Sequence, residues 1–493
     1  MLDLLLAETT SAPASAPVAG VSGDLRLFII NLAYLAASAC FIFGLRLLKA
    51  PRSARRGNMI AATGMAIAIL ATLVHPNITH GGSGSLLIIL VGLGLGAAIG
   101  ATLALKIHMR GMPQMVALLN GFGGLAASLV GLGEYIKEDA PAGNVRFAVA
   151  MSIVIGMITF TGSLIAFGKL EELKYKILGQ PLSGPVMLPQ QKLINLGGGL
   201  VLLALILTLA GLSKYTPIAV ILYVLAALYG FAFVLPIGGA DMPVVIALLN
   251  SFSGLGAAST GFVLNNNALI IGGSLVGAAG LILTLDMSRA MNRSIFNILK
   301  GGFGAAPAEP GQAAKASQTI RKMDADEAAI LLDAAQHVVI VPGYGMAVAQ
   351  AQHAVAELAA QLAKKGVSVK YAVHPVAGRM PGHMNVLLAE ANVPYEQLAD
   401  LEINPEFAQC DVALVIGAND VVNPAARHDK ASPIYGMPIF DCDKARTVMV
   451  CKRSMNPGYA GIENELFGLP NTVMLFGDAK ATVSEINKAL KDM

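Results

Sequence analysis

Nine stretches of this chain are apolar over roughly the length an α-helix needs to cross a bilayer. They lie near residues 25–48, 58–75, 84–106, 113–133, 146–168, 191–212, 216–236, 243–264 and 268–287. A spanning helix holds about 20 apolar residues, and in hydrocarbon the backbone can satisfy its own hydrogen bonds only in helices or closed barrels. The spacing therefore predicts a bundle of nine membrane-spanning helices. With 55% hydrophobic and only 13% charged residues, the chain is far too apolar for a soluble protein of 493 residues. Charge returns to ordinary density after residue 315. The chain thus divides into a membrane part, 25–300, a Gly/Pro/Ala linker, 301–322, and a soluble part, 323–493. The first 24 residues read as a flexible tail. Asp3 interrupts the short run Leu2 to Leu6 and no basic segment precedes it, so no signal peptide is expected.

Orientation follows from the loops. One alternating set carries Lys49, Arg52, Arg55, Arg56, then Lys106 and Arg110, then Lys169, Lys174 and Lys176, then Arg289, Arg293 and Lys300. The other set carries Lys137 and Lys214 beside Glu134, Glu138 and Asp139. The excess of Lys and Arg marks the cytosolic side, so the soluble part is expected in the cytosol and the N-terminus outside. Cys40, Cys410, Cys442 and Cys451 have no CxxC or zinc spacing and read as packing residues.

The membrane part contains a parallel repeat. Residues 112–131, MPQMVALLNGFGGLAASLVG, and 242–261, MPVVIALLNSFSGLGAASTG, agree at eleven of twenty positions. Each copy places an asparagine, Asn120 and Asn250, eight residues after its Met-Pro. An amide in a lipid-buried helix needs a partner across a helix interface or in a wet cavity. Either a duplication kept for packing or a shared path through the bundle accounts for the pair.

The soluble part alternates strands with helices, which predicts a parallel, doubly wound sheet. Strands are expected at 335–343, 367–373, 411–417, 446–451 and 472–476, with helices at 345–364 and 479–490. The turn after the first strand, Gly343-Tyr344-Gly345-Met346-Ala347-Val348, fits GxGxx(A/V), a variant of the dinucleotide fingerprint. Glycines there allow a tight turn and close approach of a pyrophosphate to backbone N–H groups. The motif is weak alone, and its strand–turn–helix setting supports it. The second strand ends in His374 and Pro375, where NAD sites usually carry an acid for the ribose 2′-hydroxyl, and basic Arg379 follows. The strand TVMVCKRS brings Lys452, Arg453 and Ser454 to the ligand edge, two cations and a hydroxyl that suit a phosphate. A solvated basic strand end is the alternative. Gly417-Ala418-Asn419-Asp420 ends another strand. The spacing leaves Asp420 open as either a helix cap or a titratable group beside a ligand.

These motifs, with GGADMPVV at 238–245, SRAMNRS at 288–294, PGYGMAVAQAQ at 342–352, HPVAGRMPGHMNVLLAEA at 374–391, VIGANDVVNPAA at 415–426, KRSMNPGYAG at 452–461 and MLFGDAK at 474–480, closely resemble the beta subunit of proton-translocating NAD(P) transhydrogenase, from about residue 25 onward. The resemblance implies that the soluble domain binds NADP(H), with the pyrophosphate at the GYG turn and the 2′-phosphate on Lys452, Arg453 and Ser454. It implies a lid formed by Gly458, Tyr459 and Ala460, and a site lined by Ala377, Gly378, Arg379, Pro381, Gly417, Ala418, Asn419, Asp420, Asp478 and Ala479. It also implies hydride transfer between NAD(H) and NADP(H), in the class specific for the Si and Re faces, coupled to a proton crossing a bacterial inner membrane. NAD(H) would be bound by an alpha subunit, and the expected assembly is a higher oligomer of alpha and beta chains in membrane lipid, with no nucleic acid. One departure matters. Some relatives carry a proton-path histidine at the position of Asn120, and asparagine cannot titrate. Asn120 and Asn250 are then expected to order water, with Asp241 and Arg293 at the inner face relating the path to Asp420 and the nucleotide. The titrating group would come from a partner helix or a boundary acid, Asp241 or Glu134.

Two other functions fit the architecture less well. A nucleotide-regulated channel would need a selectivity filter, and no TVGYG-like segment occurs. A membrane reductase would need haem or iron–sulfur ligands, and neither paired mid-span histidines nor cysteine clusters occur.

Overall fold

The computed structural model describes residues 21–48, 51–79, 82–107, 111–137, 143–171, 173, 175–177, 179–182, 184–211, 215–299, 320–458 and 460–493. The expected tail up to residue 20 and the linker over 301–319 lie outside the described residues. Among the described residues, nine helices are long and apolar enough to cross a membrane, as the sequence predicts. They are α1 Val21–Leu48, α2 Pro51–Leu73, α3 Gly82–Lys106, α4 Met112–Ile136, α5 Gly143–Leu170, α6 Gln191–Gly211, α7 Thr216–Val234, α8 Met242–Val263 and α9 Asn267–Ala290.

Two compact units divide the chain, residues 1–103 and 104–493. The first is built on the α1–α2 hairpin. Tyr34 Oη and Thr72 Oγ1 are 2.9 Å apart across it, and Arg26 near the start of α1 donates to the Val74 carbonyl just beyond α2 at 2.6 Å. The backbones touch at Gly57, where a Cβ would lie 2.7 Å from the Gly44 oxygen.

In the second unit α5 and α8 are the enclosed helices, each with 67% of its spanning window buried, against 33% or less for the others. The two repeat copies head equivalent hairpins, α4–α5 and α8–α9. Both α4 and α8 begin with Pro in their first turn, where its missing N–H costs no hydrogen bond. Both hairpins close on small residues. A Cβ at Gly124 would lie 2.7 Å from the Gly156 oxygen, and one at Gly280 would lie 2.7 Å from the Ser251 nitrogen. Apolar burial gives little drive between helices in lipid, so this close backbone contact supplies the dispersion that holds them together. Hydroxyls inside the bundle are satisfied across the seams. Ser152 Oγ lies 2.8 Å from both the Ala127 carbonyl and Thr260 Oγ1, so α4, α5 and α8 meet at one point.

The soluble part of this unit holds α10 Ala325–Asp333, β1 His337–Pro342, α11 Tyr344–Ala349, α12 Gln352–Lys364, β2 Ser368–Ala372, α13 His383–Glu390, β3 Leu398–Ala399, β4 Val412–Ile416, β5 Thr447–Lys452, β6 Thr472–Phe476 and α14 Ala479–Asp492. The six strands form one parallel sheet in the order β3-β2-β1-β4-β5-β6. This is the doubly wound arrangement, whose strand order reverses between β1 and β4. Alternate strand residues feed two cores. Val338, Ile340, Leu414 and Met449 pack under α10, α12 and α14, while Val339, Val341, Val415 and Val450 pack against Phe407, Phe440 and Phe467.

The expected strands appear with ends shifted by a residue or two, but the expected continuous helix 345–364 does not. The chain breaks at Gln350, which takes a left-handed φ of 51°. There Gln350 N–H donates to the Ala347 carbonyl and Ala351 N–H to the Met346 carbonyl, closing α11 as a helix C-terminus before α12 begins. Helix α10 went unnoticed in the sequence, although Asp324 and Glu327 form a capping box whose spacing is a start signal.

Candidate functional site

All six strands are parallel, so their C-terminal ends share one edge of the sheet. Ligands of such sheets sit there, at the reversal of strand order. At that reversal the turns after β1 and β4 are bonded to each other. Gly343 N–H donates to the Ile416 carbonyl at 2.8 Å and Gly345 N–H to the Gly417 carbonyl at 2.9 Å. Gly417 has a φ of +65°. A Cβ on Gly345 would lie 2.6 Å from the Gly417 Cα, and one on Gly343 would collide with Ala418. The fingerprint glycines are thus required by the fit between two neighbouring turns, a constraint in addition to the close ligand approach read from the motif. Met346 and Ala347 are buried and anchor α11, while Val348 is half-buried.

After β4, Asn419 and Asp420 support the segment that follows β5. Asp420 Oδ2 accepts the Ala460 N–H at 3.0 Å, and Asn464 Nδ2 donates to the Asn419 carbonyl at 2.9 Å and to its Oδ1 at 3.1 Å. A Cβ on Gly458 would come 2.7 Å from Asn419 Nδ2, so only glycine lets the loop lie directly on this pair. Asn419 Nδ2 is buried and has no partner among the described residues. The Asp420 carboxylate thus holds the backbone at Ala460. Tyr459, the middle residue of that loop, lies outside the described residues.

At the end of β5 Lys452 is half-buried, with Nζ 2.6 Å from the Asn456 carbonyl and 4.9 Å from the centre of the Phe467 ring. Burial holds its amine below the usual lysine range, opposed by the nearby Asp420 carboxylate. Arg453 is exposed, and Ser454 Oγ accepts the Asn456 N–H at 3.4 Å. Beside β6, Asp478 caps α14 by accepting the N–H groups of Lys480 and Ala481, and Ala479 is buried behind it. These two residues shape the edge from the helix side.

The segment after β2 turns sharply. Gly378 has a φ of +111° and lies against His383, whose Nδ1 accepts the Arg379 N–H at 3.1 Å. Because Nδ1 accepts, the neutral ring carries its proton on Nε2, which is buried and has no partner among the described residues. Burial, then the Arg379 charge, pushes the His383 pKa down to about 4. His374 is pushed to about 4 by burial, with its Nε2 held 2.9 Å from the Pro438 carbonyl. Ala377 is buried and Pro381 half-buried in the same turn. The Arg379 guanidinium lies 4.3 Å from the centre of the Tyr344 ring, so the segment after β2 meets the Gly-Tyr-Gly turn. His383 and Asn464 escaped the sequence reading. For His383 a signal was available, a second histidine nine residues after His374 in the same motif.

In the membrane helices Asn120 Nδ2 donates to Ser163 Oγ on α5 at 3.3 Å, and Ser253 on α8 donates to the Asn120 carbonyl at 3.2 Å. Asn120 therefore meets α8 at Ser253, three residues beyond Asn250, which is half-buried on the same helix. Asp241 ends the turn leading into α8 and pairs with Arg293 at 2.5 Å. Burial holds the Asp241 carboxyl above the usual range, against the opposing pull of Arg293. Glu134 is engaged by Lys137 on its own helical turn.

The cradle of glycine turns, the cationic Lys452 and Arg453, and the orphaned Asn419 amide are donor chemistry suited to a dinucleotide phosphate. A family model described as NAD(P) transhydrogenase beta subunit matches residues 30–489. Two sequences from Rhodospirillum rubrum, each named NAD(P) transhydrogenase subunit beta, are 49% identical to this chain over 469 residues, covering 93% of it and 98% of the relative.

Proposed function

Because the chain belongs to the NAD(P) transhydrogenase beta-subunit family, we propose that its soluble domain binds NADP(H) and that its membrane helices carry the proton coupled to hydride transfer. The family makes it a subunit of a transhydrogenase whose name implies an alpha partner, and the nine long apolar helices among its described residues make it an integral membrane protein. The NADP(H) reading rests above all on where the charge sits. The β2 end carries His374 and Pro375 with no acid, while Lys452, Arg453 and Ser454 stand at the end of β5. A 2′-phosphate held there puts the adenosine half toward β4 and β5 and the nicotinamide half toward β1 and β2. The nicotinamide supplies the hydride chemistry. The protein's own part is to grip the phosphates with Lys452, Arg453 and the Gly343–Gly345 turn, and to cover the nucleotide with the 458–460 loop that Asp420 holds.

On this reading NAD(H) is bound by the alpha subunit, the facial (Si–Re) specificity of the transfer arises between that subunit's domain and this one, and the two kinds of chain form a higher oligomer. The chain would lie in a bacterial inner membrane with its N-terminus outside and its nucleotide domain in the cytosol, as the loop charges favour. Asn120 and Asn250, with Ser163 and Ser253 beside them, would line the proton path. Asp241 and Arg293 would stand at its inner mouth. Asn120 does not ionise, so the path takes its titrating group from a partner helix.

The purified chain is expected to bind NADP(H) in equilibrium dialysis and to transfer no hydride to an NAD analogue until the alpha subunit is added. Full turnover by the chain alone would refute the division of sites.

A further inference from the structure

The last carbonyl of α5, Leu170, is buried and lies beyond the reach of its own helix's N–H groups. Among the described residues it accepts two hydrogen bonds, one from the membrane part and one from the soluble part. Gln114 Nε2, in the first turn of α4, donates at 3.2 Å, and Arg379 of the soluble domain donates through a terminal guanidinium nitrogen at 2.8 Å. The same guanidinium lies over the ring of Tyr344, the first residue of α11. The joint is packed as well as bonded, since Val376 lies against the membrane core formed by Leu170, Val186 and Ile237. Gln114 is also one of the positions at which the two repeat copies differ. The matching position of the second copy is Val244, and Gln114 Oε1 is itself buried without a partner among the described residues.

We propose that Arg379 is a latch between the nucleotide and the α4–α5 hairpin, released from the Leu170 carbonyl when its guanidinium turns to a phosphate oxygen of bound NADP(H). This rests on the nucleotide reading above. A helix C-terminus carries partial negative charge and attracts a cation, and a phosphate competes for the same guanidinium with a full charge and a bidentate geometry. When Arg379 leaves, Gln114 keeps the buried carbonyl bonded, so release does not orphan it. Gln114 thereby sets the cost of release, and through that cost the affinity for nucleotide. Coupling is reciprocal: whatever nucleotide does to this joint, the joint does to nucleotide affinity.

A double-mutant cycle on the full-length chain tests this, with the Kd of NADPH read from its own fluorescence. Gln114→Val introduces the residue of the second repeat copy, and Gln114→Met repeats the test with the side-chain volume kept. In the Arg379 background either change leaves Leu170 without a donor after release, so NADPH affinity is expected to fall roughly five-fold. In an Arg379→Met background, where no latch exists, the same changes are expected to leave the already weakened affinity where it is. An equal effect in both backgrounds, or none in either, would overturn the latch. A wild-type chain that binds no NADPH at all overturns the nucleotide reading, and the latch with it.

Discussion

Replacing Lys452 and Arg453 together by alanine tests the assignment of nucleotide most directly. Lys452 is half-buried against the Phe467 ring, so a hydrogen bond from it to a phosphate is only partly screened. A bond to a charged group contributes about 1.5–3 kcal/mol, and about 2 suits this position. Arg453 is exposed, and screening holds its share to about 1 kcal/mol. The pair should therefore contribute about 3 kcal/mol toward the 2′-phosphate, or roughly 100-fold in Kd. The change also frees the Asn456 carbonyl that Lys452 now serves, but that loss is common to NADP(H) and NAD(H). Measuring both nucleotides by calorimetry on wild type and variant isolates the phosphate term. The expected result is a large loss for NADP(H) and little change for NAD(H). Equal affinities in the wild type, or equal losses in the variant, would show that no 2′-phosphate rests on this triplet.

Two further expectations follow from other parts of the structure. The His374 pKa, about 4 in the folded chain against about 6.5 unfolded, means that the unfolded state binds the extra proton between these values. Its contribution is complete above pH 6.5 and is lost as pH falls toward 4, by about 3 kcal/mol at most. Urea unfolding of the fragment 320–493, followed by circular dichroism, should show that loss shrinking by this amount in His374→Leu; an unchanged pH dependence would contradict it. Asn120→Leu and Asn250→Leu should each lower proton pumping and reverse transhydrogenation together in the assembled enzyme while NADP(H) binding persists; variants that assemble and pump normally would make both asparagines packing residues.

What could be read along the chain is what local physics decides. The nine spans follow from the lengths of uncharged runs, because hydrocarbon forces each run to satisfy its own backbone. Five of the six strands of the soluble domain follow from short β-branched runs, and their parallel order from the alternation with helices; β3, the two residues Leu398–Ala399, carries no such run and was not expected. The Gly-Tyr-Gly turn and the Lys-Arg-Ser triplet could be placed at the C-terminal edge of the sheet because each stands at the end of a strand. Local patterns failed where a local bond competed with them. Gln350 looks like helix interior, yet the chain closes α11 there and starts a new helix.

Only the tertiary structure decided how separate segments serve one another. Gly343 and Gly345 look like ligand glycines, but their immediate constraint is the turn at Gly417. The spacing left the role of Asp420 open, and its carboxylate carries the Ala460 backbone forty residues away. Asn120 and Asn250 match in the repeat, yet the packing of α4 on α8 sets Asn120 beside Ser253. Arg379 and Leu170 stand 209 residues apart and share no motif. Such contacts depend on which faces of packed elements meet, and no pattern within a single segment encodes the position of a second one.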